Sequence, residues 1–245
     1  MFAVLYTSTK QAIALRRQAR NVAGFTIVEL IVVVAVLGVV IGLLFGPLND
    51  LYTSNEKGLR TSIATADNRN ALQTVRQTVV ASQSFNSTNN RVSDPMGTTW
   101  TGGANVLVTS NYATWTNSGN RSLLKGGADC EPLMNHYIFF VQGKTLFRKT
   151  LTLKGVQPAC DGASWDQKQT CTAGTLASFT RCEATDAKLL TNVEQFKVDY
   201  YESSSSNDTA IPSAAKAVLV TITVKNSPTA TAVTSKMRIS RTNGS

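Results

Sequence analysis

The sequence predicts an α+β protein in which a long N-terminal helix, one half membrane-spanning and the other amphipathic, packs on a C-terminal antiparallel β-sheet head. Residues 25–45 form an uninterrupted apolar run of 21 residues with a single formal charge. A helix of that length spans about 30 Å, the hydrocarbon thickness of a bilayer. Beyond it, apolar residues first recur at steps of three or four, then from about residue 105 in the alternation of half-buried strands.

Composition sets the outer limits. A chain of 245 residues holds one domain or a domain with an appendage. Its 42% hydrophobic and 16% charged residues exclude both a disordered polyelectrolyte and a protein of many membrane spans. The formal charge of +9 suggests an acidic partner such as DNA or anionic lipid. Lys10, Arg16, Arg17 and Arg20 carry +4 of it before residue 24, and the remaining basic residues are dispersed.

Residues 1–24 are a basic segment preceding the apolar run, and Asn49, Asp50 and Glu56 follow that run. By the bias of positive charge toward the cytoplasm, the N-terminus is inside and the bulk of the chain outside. A secretory signal peptide fits less well. The run exceeds the usual 7–15 residues of a signal core, no small-x-small cleavage site follows, and Glu29 lies within it. An ionised carboxylate costs roughly 2.5–3.5 kcal/mol in a bilayer, so Glu29 must be protonated, snorkel to the interface or find a positive partner.

Residues 25–46 make the first helical segment. Gly38, Gly42 and Gly46 recur every fourth residue and form one small-residue face. That face is either a contact for another helix or ordinary glycine tolerance. Pro47 lacks a backbone donor and predicts a kink or loosening. Residues 47–85 continue as an amphipathic helix through Leu48, Leu51, Tyr52, Leu59, Ile63, Ala66, Val75 and Val79, ending in the Ser/Asn-rich stretch at 82–90.

Residues 86–245 form a loop-rich β-sheet head. Strands are expected at 105–110, 111–116, 136–141, 145–153, 195–202, 217–224 and 232–240, with a hairpin around Gln142-Gly143-Lys144. The hairpin and the three strands after it predict an antiparallel sheet of four or five strands. Cys130, Cys160, Cys171 and Cys182 all lie on the exported side, in an even number that suits an oxidising compartment. Three pairings are open, and Cys160–Cys171 with Cys130–Cys182 around it is the favoured one. Metal is disfavoured, because no C-x2-C pair occurs and the sole histidine, His136, falls in a strand pattern. No cofactor is expected.

Enzymatic motifs are missing: no phosphate-binding glycine loop, HExxH or GxSxG is present. Asp199 and Glu202 could in principle form an acid pair, but their pattern is that of a solvated strand edge. The chain is therefore read as a non-enzyme.

Ala23-Gly24-Phe25-Thr26-Ile27-Val28-Glu29-Leu30 closely resembles the N-terminal signature of type IV pilins and pseudopilins, the class III signal cut by prepilin peptidase. The resemblance implies cleavage between Gly24 and Phe25, which removes the 24-residue leader, and N-methylation of Phe25. It further implies assembly through Glu29, whose carboxylate pairs with the new ammonium of a neighbouring subunit. The implied partners are other pilin subunits, prepilin peptidase, the cytoplasmic membrane and a pilus or type II secretion-like assembly platform. Such a subunit is a minor pilin or pseudopilin held in the membrane and then moved into a surface filament or its tip complex. The alternative is a filament-borne binding module whose head takes DNA or a host or surface ligand.

Overall fold

The computed structural model describes residues 26–89, 94–117, 120–126, 130–152, 169–173, 182–205, 210–227 and 230–242. The chain divides into two compact units, Met1–Glu56 and Lys57–Ser245.

Helix α1, Ile27–Val80, runs through the unit boundary and continues past Pro47. In the first unit every described residue is exposed, including the apolar side chains from Ile27 to Leu51. Within the second unit α1 buries Ala64, Asn68, Ala71, Leu72, Val75, Thr78 and Val79, a stripe at helical spacing. This stripe starts later than the sequence periodicity suggests: Leu59, Ile63 and Ala66 are exposed, and only Val75 and Val79 of the expected set face the core. The helix stops where Ser82 turns back, its amide 3.0 Å and its hydroxyl 2.7 Å from the Val79 carbonyl. Two residues earlier, the Val80 carbonyl accepts the Thr242 hydroxyl at 2.8 Å, so the chain's C-terminal end supplies a partner the helix terminus lacks.

Fourteen strands are described: β1 (Ser84–Phe85), β2 (Val106–Tyr112), β3 (Thr114–Asn117), β4 (Asn120–Leu123), β5 (Lys125–Gly126), β6 (Glu131–Pro132), β7 (Met134–Gln142), β8 (Thr145–Leu151), β9 (Gln169–Cys171), β10 (Cys182–Thr185), β11 (Ala187–Thr191), β12 (Val193–Tyr201), β13 (Ala217–Val224) and β14 (Val233–Ser240). The expected single sheet is corrected to two main sheets, one of five strands in the order β1-β2-β7-β8-β11 and one of three in the order β12-β13-β14. The break falls at Asn192, where a positive φ of 58° separates β11 from β12 and turns the chain from one sheet to the other.

Both main sheets are antiparallel throughout. The expected hairpin forms as β7–β8, with Gly143 at φ +61° in a turn that L side chains rarely adopt. Alternation on β13 sends Val218, Val220, Ile222 and Val224 inward. They share one core with Leu72, Val75 and Val79 of α1 and with Leu107, Phe139 and Leu146 of the larger sheet. The opposite face of that sheet is also covered: Val108, Ile138, Phe140 and Leu151 pack with Trp100 and Phe147. His136 is a buried β7 residue, as its strand pattern suggests.

The expected cysteine pairing is also corrected. Cys171 bonds Cys182, their Cα atoms 5.5 Å apart, because β9 and β10 lie side by side as a parallel pair. Cys130 is likewise disulfide-bonded, and Cys160 lies outside the described residues.

Candidate assembly segment

The segment that carries the sequence motif begins at Thr26 among the described residues; Gly24 and Phe25 lie outside them. Thr26 precedes the helix and Glu29 sits three residues on, the spacing of a reciprocal cap. The Glu29 amide donates to Thr26 Oγ1 at 3.2 Å, and the Thr26 amide donates to Glu29 Oε2 at 3.4 Å. The first intrahelical bond follows, from the Leu30 amide to the Thr26 carbonyl at 3.1 Å. Two N–H groups that a helix start leaves without partners are thus satisfied, and a negative charge sits at the positive end of the helix dipole. The T-I-V-E pattern signals this cap in the sequence, but attention to the charge of Glu29 hides its hydrogen-bonding role.

Glu29 is solvent-exposed and surrounded along α1 by exposed apolar residues: Ile27 is 78% and Phe45 68% exposed. Such a contiguous apolar surface is far larger than a soluble monomer leaves uncovered. By length and composition this part of α1 is able to cross a membrane. Beyond their own turn of helix, Gly38, Gly42 and Gly46 have no heavy atom within 4 Å of where a Cβ would stand. Their shared face is open, and a neighbouring helix backbone could approach it closely. Pro47 closes the glycine series within the same helix.

The remaining sequence candidates lie elsewhere. Asp199 is not paired with Glu202; it forms an ion pair with Lys197 at 2.8 Å on the outer side of β12. That carboxylate raises the Lys197 ammonium above its ordinary range, first through the hydrogen bond and then through charge. Among the described residues no group of three or more His, Cys, Asp or Glu side chains is placed to hold a metal.

Residues 19–45 match the family model described as the prokaryotic N-terminal methylation motif. No curated protein and no solved structure matches the chain. The motif match supports a class III signal and hence a type IV pilin-like precursor processed by prepilin peptidase, and it implies assembly with other pilins. Together with the apolar helix it fits a membrane-anchored pilin of a surface filament and suggests a structural subunit.

Proposed function

We propose that the chain is a minor pilin or pseudopilin, with residues 1–24 a cleaved leader, 25–46 the membrane and assembly helix, 47–85 the amphipathic helix and 86–245 the exported head. The observation that carries this reading is the methylation motif at residues 19–45, whose residues from Ile27 onward lie on helix α1 with their apolar side chains exposed as far as Phe45. In the membrane those side chains meet lipid; in a filament they meet the same segments of neighbouring subunits. Both settings exclude water, so transfer between them exchanges one apolar environment for another.

Cleavage between Gly24 and Phe25 creates an ammonium beside the helix start. Glu29 of an adjacent subunit neutralises it, since neither charge alone tolerates an apolar filament core. The Thr26–Glu29 cap supports this role by holding the carboxylate beside the helix start. Gly38, Gly42 and Gly46 then allow helices to pack at short range. The N-terminus faces the cytoplasm before assembly and the head faces outward.

The mass of the N-terminal peptide from membranes and from sheared surface filaments tests the reading. Methylated Phe25 is expected in the filament fraction. An intact Met1 there, or cleavage after Phe45, overturns it.

A further inference from the structure

A lysine and two aspartates meet inside the head, where water is excluded. The Lys149 Nζ on β8 lies 3.3 Å from Asp186 Oδ2 and 3.8 Å from Asp94 Oδ2, and the three side chains are 0%, 2% and 0% exposed. Its remaining contacts are the Thr170 carbonyl at 3.3 Å and the Trp100 ring, 6.0 Å from Nζ to centroid. Buried ion groups of this kind are often no more stabilising than apolar side chains of equal volume, so packing alone is a weak reason for the arrangement.

The two carboxylates differ in a way that assigns them chemical roles. Both oxygens of Asp94 are held by N–H donors: Oδ1 accepts from the Met96 amide at 2.9 Å, and Oδ2 from the Trp100 indole at 2.6 Å. Donors so fixed stabilise an oxyanion that forms when the carboxyl carbon is attacked. Asp186 instead has one oxygen, Oδ1, buried without a hydrogen-bond partner among the described residues, while Oδ2 accepts the Thr172 hydroxyl at 3.3 Å and faces Lys149. Its position is set by the disulfide strands, since the Asp186 amide donates to the Cys171 carbonyl at 2.9 Å.

We propose that Lys149 and Asp94 condense into an intramolecular amide, with Asp186 carrying the protons. Asp186 takes a proton from Nζ, the freed lone pair attacks the Asp94 carboxyl carbon, and the adduct's negative charge falls on an oxygen held by Trp100 or Met96. Asp186 returns the proton to the departing oxygen and then relays to it a second proton from the adduct nitrogen, so that the oxygen leaves as water. Overall the ammonium gives up two hydrogens and the carboxylate one oxygen, which leave as one water; the N–C bond forms, one C–O bond breaks, and Asp186 ends unchanged. No oxidant or external reagent takes part. Reactive groups held a few ångström apart in a dry site need little further organisation. A cleft of about 620 Å³ lined in part by Asp94, Trp100 and Lys149 lies beside the three ionic groups, which are themselves shielded from it. The product ties the segment before β2 to β8 by a link that reductants cannot open.

Intact mass of the full chain after disulfide reduction, followed by sequencing of proteolytic fragments, tests the proposal. The expected result is a chain one water lighter than calculated for its form after any leader removal and N-methylation, with a branched peptide joining Lys149 to Asp94. Lys149→Arg and Asp186→Asn are expected at full mass with unchanged circular dichroism. A wild-type chain at full mass overturns the proposal, as does water loss located at any other pair. An amide still formed in Asp186→Asn removes the proton-carrying role. Should either variant fail to fold, the wild-type fragment alone decides whether the bond exists.

Discussion

Thr26 and Glu29 hold each other's backbone amides, at 3.2 Å from the Glu29 amide to Thr26 Oγ1 and 3.4 Å in the reverse sense. In the proposed assembly Glu29 therefore has two separable properties, an oxygen that caps the helix and a charge offered to a neighbour's terminus. Glu29→Gln keeps an oxygen for the cap and removes the charge. A hydrogen bond to a charged group is worth about 1.5–3 kcal/mol, so incorporation into filaments should fall about tenfold or more while leader cleavage and membrane insertion persist. Thr26→Val removes the hydroxyl cap at a cost of about 1 kcal/mol but leaves the charge, and should assemble better than Glu29→Gln. Immunoblots of sheared filaments against membranes measure both; equal incorporation of Glu29→Gln and wild type refutes the pairing.

The Cys171–Cys182 disulfide closes a short loop, with a sequence separation of 11. Loops of this size restrict the unfolded chain by about 3 kcal/mol. Replacing both cysteines by serine should lower the unfolding free energy of the head by about that amount. Denaturant titration of the full chain in detergent, with Trp fluorescence as readout, provides the measurement. A loss below about 0.5 kcal/mol shows that β9 and β10 are held together by the rest of the head.

Elements with strong periodicity were legible in the sequence, and those set by distant partners were not. Ala217–Val224 alternates and forms the expected strand, whereas Ala187–Thr191, with adjacent Leu189 and Leu190, has no alternation and becomes a strand because β8 pairs with it. The cysteine pairing misled for the same reason: its intervals of 11 residues are equal on both sides of Cys171, so only the adjacency of β9 and β10 selects Cys182. At the candidate assembly segment, the positions of Glu29 in the apolar run and of the glycine series are visible in local spacing. Asp94, Lys149 and Asp186 were not, because no local pattern links residues that only the tertiary fold brings together.

Core and exposed faces of α1 make opposite predictions. Leu72 is 2% exposed within the shared core, while Ile63 is 50% exposed. Leu72→Ala should destabilise the head by about 2–5 kcal/mol, since the methyl groups leave a cavity between helix and sheets. Ile63→Ser should change it by less than about 0.5 kcal/mol. Denaturant midpoints compare them, and a large loss for Ile63→Ser contradicts the position of the buried stripe.

Tyr200 couples the two main sheets to alkaline stability. Its hydroxyl donates to the Val106 carbonyl at 3.2 Å, and its ring meets Phe85 edge-on with centroids 6.0 Å apart. Burial raises its phenol well above the ordinary 10.0. The folded state therefore keeps this proton when the unfolded state has begun to lose it. The resulting contribution is fully present below pH about 10 and is lost as pH rises toward the folded titration, at up to about 1.4 kcal/mol per pH unit. Tyr200→Phe should cost about 1 kcal/mol at neutral pH through the missing hydrogen bond and lose this alkaline slope. Denaturant titrations at stepped alkaline pH separate the two effects. An unchanged slope in Tyr200→Phe assigns the alkaline loss to other groups and refutes the linkage.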